Sequence, residues 1–471
     1  MELDSGNIAW MLAASAFVLF MTPGLGFFYG GLTRNKNVLA TIMQSFITTG
    51  VVAVIWVVFG YSLAFGPDAG LGLIGNFDWV FLKDVTGAVG GPNLAFDADG
   101  NVISGAAYGL NIPHLMFMAF QMMFAIITPA LITGAFAERA RFGPFLIFTA
   151  LWAILVYIPV AHWVFAYDGW LSAFSVSGTD VGINSLDFAG GLAIHVNAGF
   201  AAIAAVLVFG KRKGYGREPM EPHDITMVVL GAAILWFGWF GFNAGSAGGA
   251  SAQAVYAFVN TAVAAAVAGL VWTLASWMFG GKPSVVGAAA GAVAGLVAVT
   301  PASGYVEPMA ALAIGAGAGV LCYLAVRLRA KLGFDDSLDV VGVHGVGGMW
   351  GAIGTGLFAA ATVSGLSYGD GLIYGGWDRL TDSLIGIVAV GGYSFVVTFI
   401  ILKVLDLTVG IRVSEDEEDL GLDITQHGER AYTTDEGGIA IPTGTVLPAP
   451  PAVYAAETQT ASGPQPAGQA G

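Results

Sequence analysis

The sequence predicts an all-α polytopic membrane protein. It would have eleven transmembrane helices, built as an inverted 5+5 repeat plus an eleventh helix, with the N-terminus out and the C-terminus in. Three observations carry this reading. Eleven apolar runs are long enough to cross a bilayer, or nearly so, at about 20 residues each. Lys and Arg fall almost wholly on alternate loops. Two sets of motifs recur five spans apart.

Composition sets the class. The 471 residues are 56% hydrophobic and 10% charged, against roughly 25% charged in ordinary globular domains. Mean hydropathy is +0.75. A soluble enzyme, a disordered chain and a nucleic-acid binder are excluded. The net charge of -15 and the scarcity of basic residues also argue against nucleic acid as a partner. Glycine, at 69 residues, suits helices whose backbones approach closely in lipid. The single cysteine, Cys322, permits no intramolecular disulfide.

The apolar runs cover 8–32, 38–66, 112–136, 142–167, 187–210, 223–243, 251–279, 285–300, 305–330, 338–359 and 380–408. The eighth is short. Residues 1–7 carry no Lys or Arg, so the first run reads as a retained span and not a secretory signal. With the N-terminus outside, inner segments carry 15 of the 17 Lys and Arg, and outer segments only Lys83 and Arg379. A miscounted span would scramble that asymmetry. The longest outer loop, 67–111, is rich in Gly and Asp. The expected organisation is a membrane domain over 1–410, with halves at 8–210 and 223–359 and an extra span at 380–408. A cytoplasmic tail follows at 411–432, and a disordered extension without periodicity at 433–471.

The repeat is visible in short motifs. Span one ends in Gly26-Phe-Phe-Tyr-Gly-Gly31 and span six in Phe240-Gly-Phe-Asn-Ala-Gly245. Span five opens with Asp187 and carries His195; span ten opens with Asp339 and carries His344. Five spans per unit is odd, so the second unit runs inverted, and such folds place the substrate path at the midplane between the halves. His195 lies eight residues past Asp187, roughly 12 Å deeper along a helix, and His344 five past Asp339, roughly 7.5 Å deeper. The two imidazoles converge from opposite sides. Ionisable groups at such depth mark function, against the alternative of two unrelated core histidines. Two neutral rings can bond each other and still offer one group to a small polar solute or a proton relay. They do not suit a bare metal ion, which wants more ligands. No metal or cofactor is expected.

Asp187 and Asp339 fit N-capping; for Asp187 an electrostatic contribution to cation binding below the outer vestibule is the other reading. Among the dense aromatics, Phe120, Phe124, Phe165, Trp239 and Phe242 are able to pack, to bind a cation through ring faces, or to gate by constriction. Ser246 follows Phe242 by one turn, where a hydroxyl can accept a hydrogen bond. His114 and His162 lie in spans three and four without repeat partners. His223 falls in a cytoplasmic loop and His427 in the tail.

These motifs resemble the ammonium transporter family (Amt/MEP/Rh) over about residues 8–432. The resemblance rests on Thr22-Pro-Gly-Leu-Gly-Phe-Phe-Tyr-Gly-Gly31, Asp187-Phe-Ala-Gly-Gly-Leu-Ala-Ile-His195, Gly238-Trp-Phe-Gly-Phe-Asn-Ala-Gly-Ser246 and Asp339-Val-Val-Gly-Val-His344. The segment ending Gly421-Leu-Asp-Ile-Thr-Gln-His-Gly-Glu-Arg-Ala-Tyr432 is similar to the family's cytoplasmic regulatory tail. The resemblance implies a homotrimer in the plasma membrane with one pore per subunit. It implies an external ammonium site near Phe124, Phe165 and Ser246, a gate of Phe124 and Phe242, pore histidines His195 and His344, and a supporting Asp187. Tyr157 would sit at the vestibule edge. A PII-type nitrogen regulator would dock on the cytoplasmic face. Where the family pattern has Trp, this chain has Phe165, a weaker cation–π partner without an N–H donor; Trp163 or Trp170 would compensate. Methylammonium is the natural analogue. A sensor signalling through its tail with little flux is the second functional reading. A membrane enzyme is disfavoured, because no paired midplane carboxylates or metal-ligand cluster stand out.

Overall fold

The computed structural model describes residues 3–87, 111–173, 183–366 and 369–432. The expected disordered extension at 433–471 and much of the 67–111 loop lie outside them. No β-strand occurs among the described residues; four isolated bridges are the only β contacts.

Eleven apolar helical segments run back and forth. They are α1 (Ser5–Leu32), α2 (Asn35–Phe65), α3 (His114–Phe136), α4 (Phe142–Phe165), α5 (Gly191–Phe209), α6 (Ile225–Gly245), α7 (Ala252–Gly280), α8 (Val285–Val299), α9 (Pro308–Leu332), α10 (341–358) and α11 (Trp377–Thr408). Nine have the length and apolarity to cross a membrane by themselves; α8 is shorter, as its sequence predicts. This is a multi-pass membrane protein. A short tail helix, α12 (Glu415–Leu420), opens with a Ser414–Glu417 capping box.

The order of the helices gathers loops 33–37, 137–141, 210–224, 281–284 and 333–340 and the tail at one end of the bundle. That end carries every Lys and Arg except Lys83 and Arg379. Here Glu138 Oε2 meets Arg34 Nη2 at 2.8 Å and Arg212 Nη1 at 3.1 Å, and Arg212 Nη2 meets Asp335 Oδ1 at 2.8 Å. Burial alone would push the Glu138 carboxyl up; Arg212 and Arg34 outweigh it and hold the carboxyl below its usual value.

Two helix pairs set the interior, and both rely on missing side chains. α1 packs along α6, where a Cβ on Gly231 would sit 2.2 Å from Phe28 N. α5 crosses α10 where a Cβ on Gly199 would sit 2.2 Å from Gly345 Cα. The pairs join span one to six and five to ten, the same positions as the sequence repeat.

Single π-helical turns interrupt the spans at Trp56–Gly60, Ala153–Tyr157, Gly191–Val196 and Val341–Gly345. A π turn inserts a residue and shifts the face that follows it. The last two carry His195 and His344.

Candidate functional site

The site begins with how α5 starts. Asp187 precedes it, and Gly190 adopts φ 118°, a left-handed conformation suited to glycine. That turn wraps the backbone around the carboxylate. Oδ1 accepts from the N–H groups of Gly190 (2.9 Å) and Gly191 (2.6 Å), and Oδ2 from Leu192 (2.8 Å) and Ala193 (3.1 Å). Four orphan donors of a buried helix end are satisfied by one side chain. Asp187 is therefore a cap in this structure, and any effect on a cation is through its charge and not through direct ligation.

The start of α10 differs from expectation. Asp339 does not cap it with its side chain. Its backbone is left-handed (φ 62°) and its Oδ1 pairs with Arg329 Nε at 2.9 Å. The capping carboxylate is Asp336, whose Oδ2 accepts from Val341 N–H at 2.8 Å. Asp336 stands eight residues before His344, the same separation as Asp187 from His195. That shared spacing was a legible signal, hidden because Asp339 sits closer to the apolar run.

With both helix starts fixed and the Gly199–Gly345 crossing closing the gap, the two imidazoles meet. His195 Nδ1 and His344 Nδ1 are 3.2 Å apart, with ring planes within 17°. Both are buried. A contact between two like nitrogens needs one proton between them, so one Nδ1 donates and the other accepts. Trp239 stacks on His195 at 5.5 Å and 20°, and its Nε1 donates to Thr300 Oγ1 at 2.9 Å, which fixes the indole.

The rings border a narrow cavity lined by Leu25, Tyr29, Leu131, Trp239, Phe242 and Val343 among others. It holds about 20 Å³ for the centres of water-sized molecules, room for one or two. Phe242 lines it, and Phe124 packs on Phe242 with ring centroids 4.4 Å apart and planes tilted by 36°. Phe120 packs edge-on to Phe124 at 4.9 Å. All three rings are buried.

Above that stack, Ser246 is half-buried and its Oγ donates to the Phe242 carbonyl at 2.8 Å. The proton is committed downward, leaving the lone pairs as acceptors. Phe165, at the end of α4, is only partly buried. Trp163 Nε1 donates to the Leu73 carbonyl at 2.8 Å and is spent, whereas Trp170 Nε1 has no hydrogen-bond partner among the described residues. Tyr157 is not at the rim. It is 1% exposed, lies in the π turn of α4 two helical turns before Phe165, and its ring centroid is 6.3 Å from that of Trp56.

Three of the other histidines, His114, His223 and His427, make packing or hydrogen-bond contacts away from the cavity. His114 Nε2 meets Tyr61 OH at 2.7 Å, His223 Nδ1 meets Thr33 O at 2.9 Å, and His427 packs on Phe142 at 4.9 Å.

The tail clasps the basic end. Glu418 Oε2 meets Arg412 Nη2 at 2.8 Å and its Oε1 accepts from Lys213 N–H at 2.6 Å. Asp423 Oδ1 accepts from Ala40 N–H at 2.9 Å, and Gln426 Oε1 from Phe142 N–H at 3.1 Å. Lys213 also donates to Asp419, holding that exposed carboxyl below its usual value. The tail thus touches the connections between α1 and α2, α3 and α4, and α5 and α6.

A helical membrane protein with a small apolar cavity between its inverted halves, bordered by two facing imidazoles and a phenylalanine ring, fits the class of channels and transporters for small solutes. Residues 9–432 match the Ammonium Transporter Family, and the chain belongs to it. It is 45% identical over 431 residues to the ammonium transporter of Bacillus subtilis, covering 91% of this chain and 99% of that one. It is 42% identical to ammonium transporter Amt1 of Archaeoglobus fulgidus, covering 92% and 100%. The crystal structure of Candida albicans Mep2 superposes with a TM-score of 0.79 at 39% identity, covering 94% of this chain and 93% of that one. A solved sensor Amt protein gives 0.77 at 27% identity, covering 90% and 98%.

Proposed function

We propose that this chain transports ammonium across the plasma membrane, with the N-terminus and the Phe165–Ser246 mouth outside and the basic loops and tail inside. The observation that carries it is the pair of buried imidazoles lining an apolar cavity beside the packed rings of Phe242 and Phe124. The 15-to-2 split of Lys and Arg between the ends supports the orientation.

The physical problem is discrimination. Ammonium and potassium share charge and similar size, but only ammonium donates hydrogen bonds and has a proton to lose. Outside, the lone pairs of Ser246 and the faces of Phe124 and Phe165 receive the cation, and the Asp187 carboxylate adds negative potential from below. The path beyond Phe124 and Phe242 opposes a charge by about 2.5 kcal/mol or more. The neutral amine enters more readily, and His195 and His344 hydrogen-bond it or relay its proton. Liposomes given ammonium and methylammonium pulses, with current and internal pH read together, test this. Uptake that saturates and excludes potassium is expected; no flux above empty vesicles overturns it.

Phe165→Trp is expected to tighten apparent methylammonium affinity by about two- to fivefold. An indole adds roughly 0.5–1 kcal/mol of cation–π attraction, and 1.4 kcal/mol is tenfold. A concentration series in the same vesicles checks it; an unchanged midpoint removes Phe165 from the site.

A homotrimer, with the tail as a regulatory segment and a PII-type protein docking on the basic face, completes the proposal. Truncation after Arg412 removes the contacts of Glu418, Asp419, Asp423 and Gln426. It is expected to alter flux or PII pull-down at least about twofold, as loss of several hydrogen bonds worth about 0.5–1.5 kcal/mol each would. Truncation after Tyr432 is expected to change neither. The likeness to a sensor Amt protein and the clasped tail favour a second reading, a sensor with little flux, which the liposome measurement separates.

A further inference from the structure

The mouth holds a second cluster of titratable groups that transport does not use. His162 lies in the last turn of α4, three residues before Phe165, and is fully buried. Its Nδ1 is 3.0 Å from the Ala64 carbonyl oxygen. A carbonyl only accepts, so Nδ1 carries the ring proton, and Nε2 of the neutral ring presents a lone pair. That nitrogen faces Asp68 Oδ1 at 3.4 Å and Asp168 Oδ1 at 3.8 Å. All three atoms are buried and none has a hydrogen-bond partner. Three acceptors meet without a donor.

The two carboxylates come from different segments. Asp68 is in the loop after α2 and Asp168 in the segment after α4. The Asp68 N–H donates to Asp168 Oδ2 at 2.8 Å, and the Trp170 N–H to the Gly72 carbonyl at 3.2 Å. Among the described residues, the charged groups that act on Asp168 are His162 and Asp68. The Tyr61 hydroxyl at the end of α2 is bonded to His114, and Asp187 at the start of α5 is taken by its four backbone donors. Burial pushes the Asp168 carboxyl up, so it gains a proton more readily than an exposed acid. No group of three His, Cys, Asp or Glu among the described residues has the arrangement of a metal site.

We propose that Asp68, His162 and Asp168 form a proton-binding latch that ties the loop after α2 to the segment after α4 beside Phe165. One proton from external water binds the Asp168 carboxyl and bridges it to Nε2; it returns to water as pH rises. Bound, it turns a contact between acceptors into a charge-assisted hydrogen bond of about 2.7–2.9 Å. The sign follows from the Asp168 carboxyl, which burial lets bind a proton better folded than unfolded: the contact holds at low pH and is lost as pH rises. The latch is independent of what the pore conducts.

Hydrogen–deuterium exchange of the full-length protein in lipid nanodiscs tests it, from about pH 5 to about pH 8. Rates are corrected for intrinsic exchange and read in peptides covering 66–75 and 166–172. Protection is expected to fall at least about threefold as pH rises. Asp168→Asn keeps an oxygen for the Asp68 N–H and gives Nε2 an amide donor, so its protection stays high at every pH; Asp68→Asn supplies the donor from the other side if the first variant folds poorly. A flat wild-type profile, or a variant that follows the wild-type profile, overturns the latch. Protection restored at high pH by zinc ion and removed by chelator also overturns it, because the occupant is then a metal.

Discussion

His344→Ala and His195→Ala should each lower methylammonium flux by about 10- to 100-fold at matched protein levels. A polar solute in an apolar cavity that loses a hydrogen-bond partner costs about 1–3 kcal/mol, and 1.4 kcal/mol is tenfold. Each replacement also strands the other imidazole, since the 3.2 Å contact between the two Nδ1 atoms is lost. His344→Gln keeps a donor and an acceptor and should fall between wild type and alanine. Uptake into liposomes, with reconstituted protein quantified, reads all three. If both alanine variants match wild type, the imidazoles do not handle the solute.

Asp187→Ala should cost at least about 3 kcal/mol of stability and with it nearly all flux. Four buried backbone donors lose their acceptor at once, and each orphan costs about 1–3 kcal/mol before relaxation. The π turn that aims His195 begins at those donors. Asp187→Asn keeps one oxygen and turns an NH₂ toward two N–H groups, so it should fare nearly as badly. Thermal melting in detergent alongside uptake separates the roles. A variant that melts like wild type but loses flux would assign Asp187 to the cation; one that keeps both would show that the cap is dispensable.

The apolar runs and the alternation of basic loops were legible because both follow from the cost of crossing lipid, which acts on every residue of a span. The histidine pair was legible for the same reason, as ionisable groups where few are tolerated. The π turns were not: the glycines at 191, 342 and 345 weaken a helix without specifying an inserted residue, which is decided by capping and packing. The Asp336 cap was missed because Asp339 lies nearer the apolar run, although the eight-residue spacing shared with Asp187 and His195 was present. Tyr157 was placed at the rim by resemblance, whereas the π turn at 153–157 and two helical turns of depth bury it. The tail was legible only as a segment after the last span that resembles the family's regulatory tail; its grip on the loops was not. Its neutral contacts, such as Gln426 to the Phe142 N–H, leave no mark in sequence.

Where Gly199 meets Gly345, backbone rests on backbone. No rotamer is available there to absorb a sideways displacement, so the spacing of the two imidazoles is stiff. Phe124 and Phe242 are buried too, but they are side chains, and their position is set by torsions that have more than one staggered well. On the function proposed above, breathing that admits a solute comes from the phenyl rings, while the waist acts as a gauge: it measures what arrives and does not yield to it.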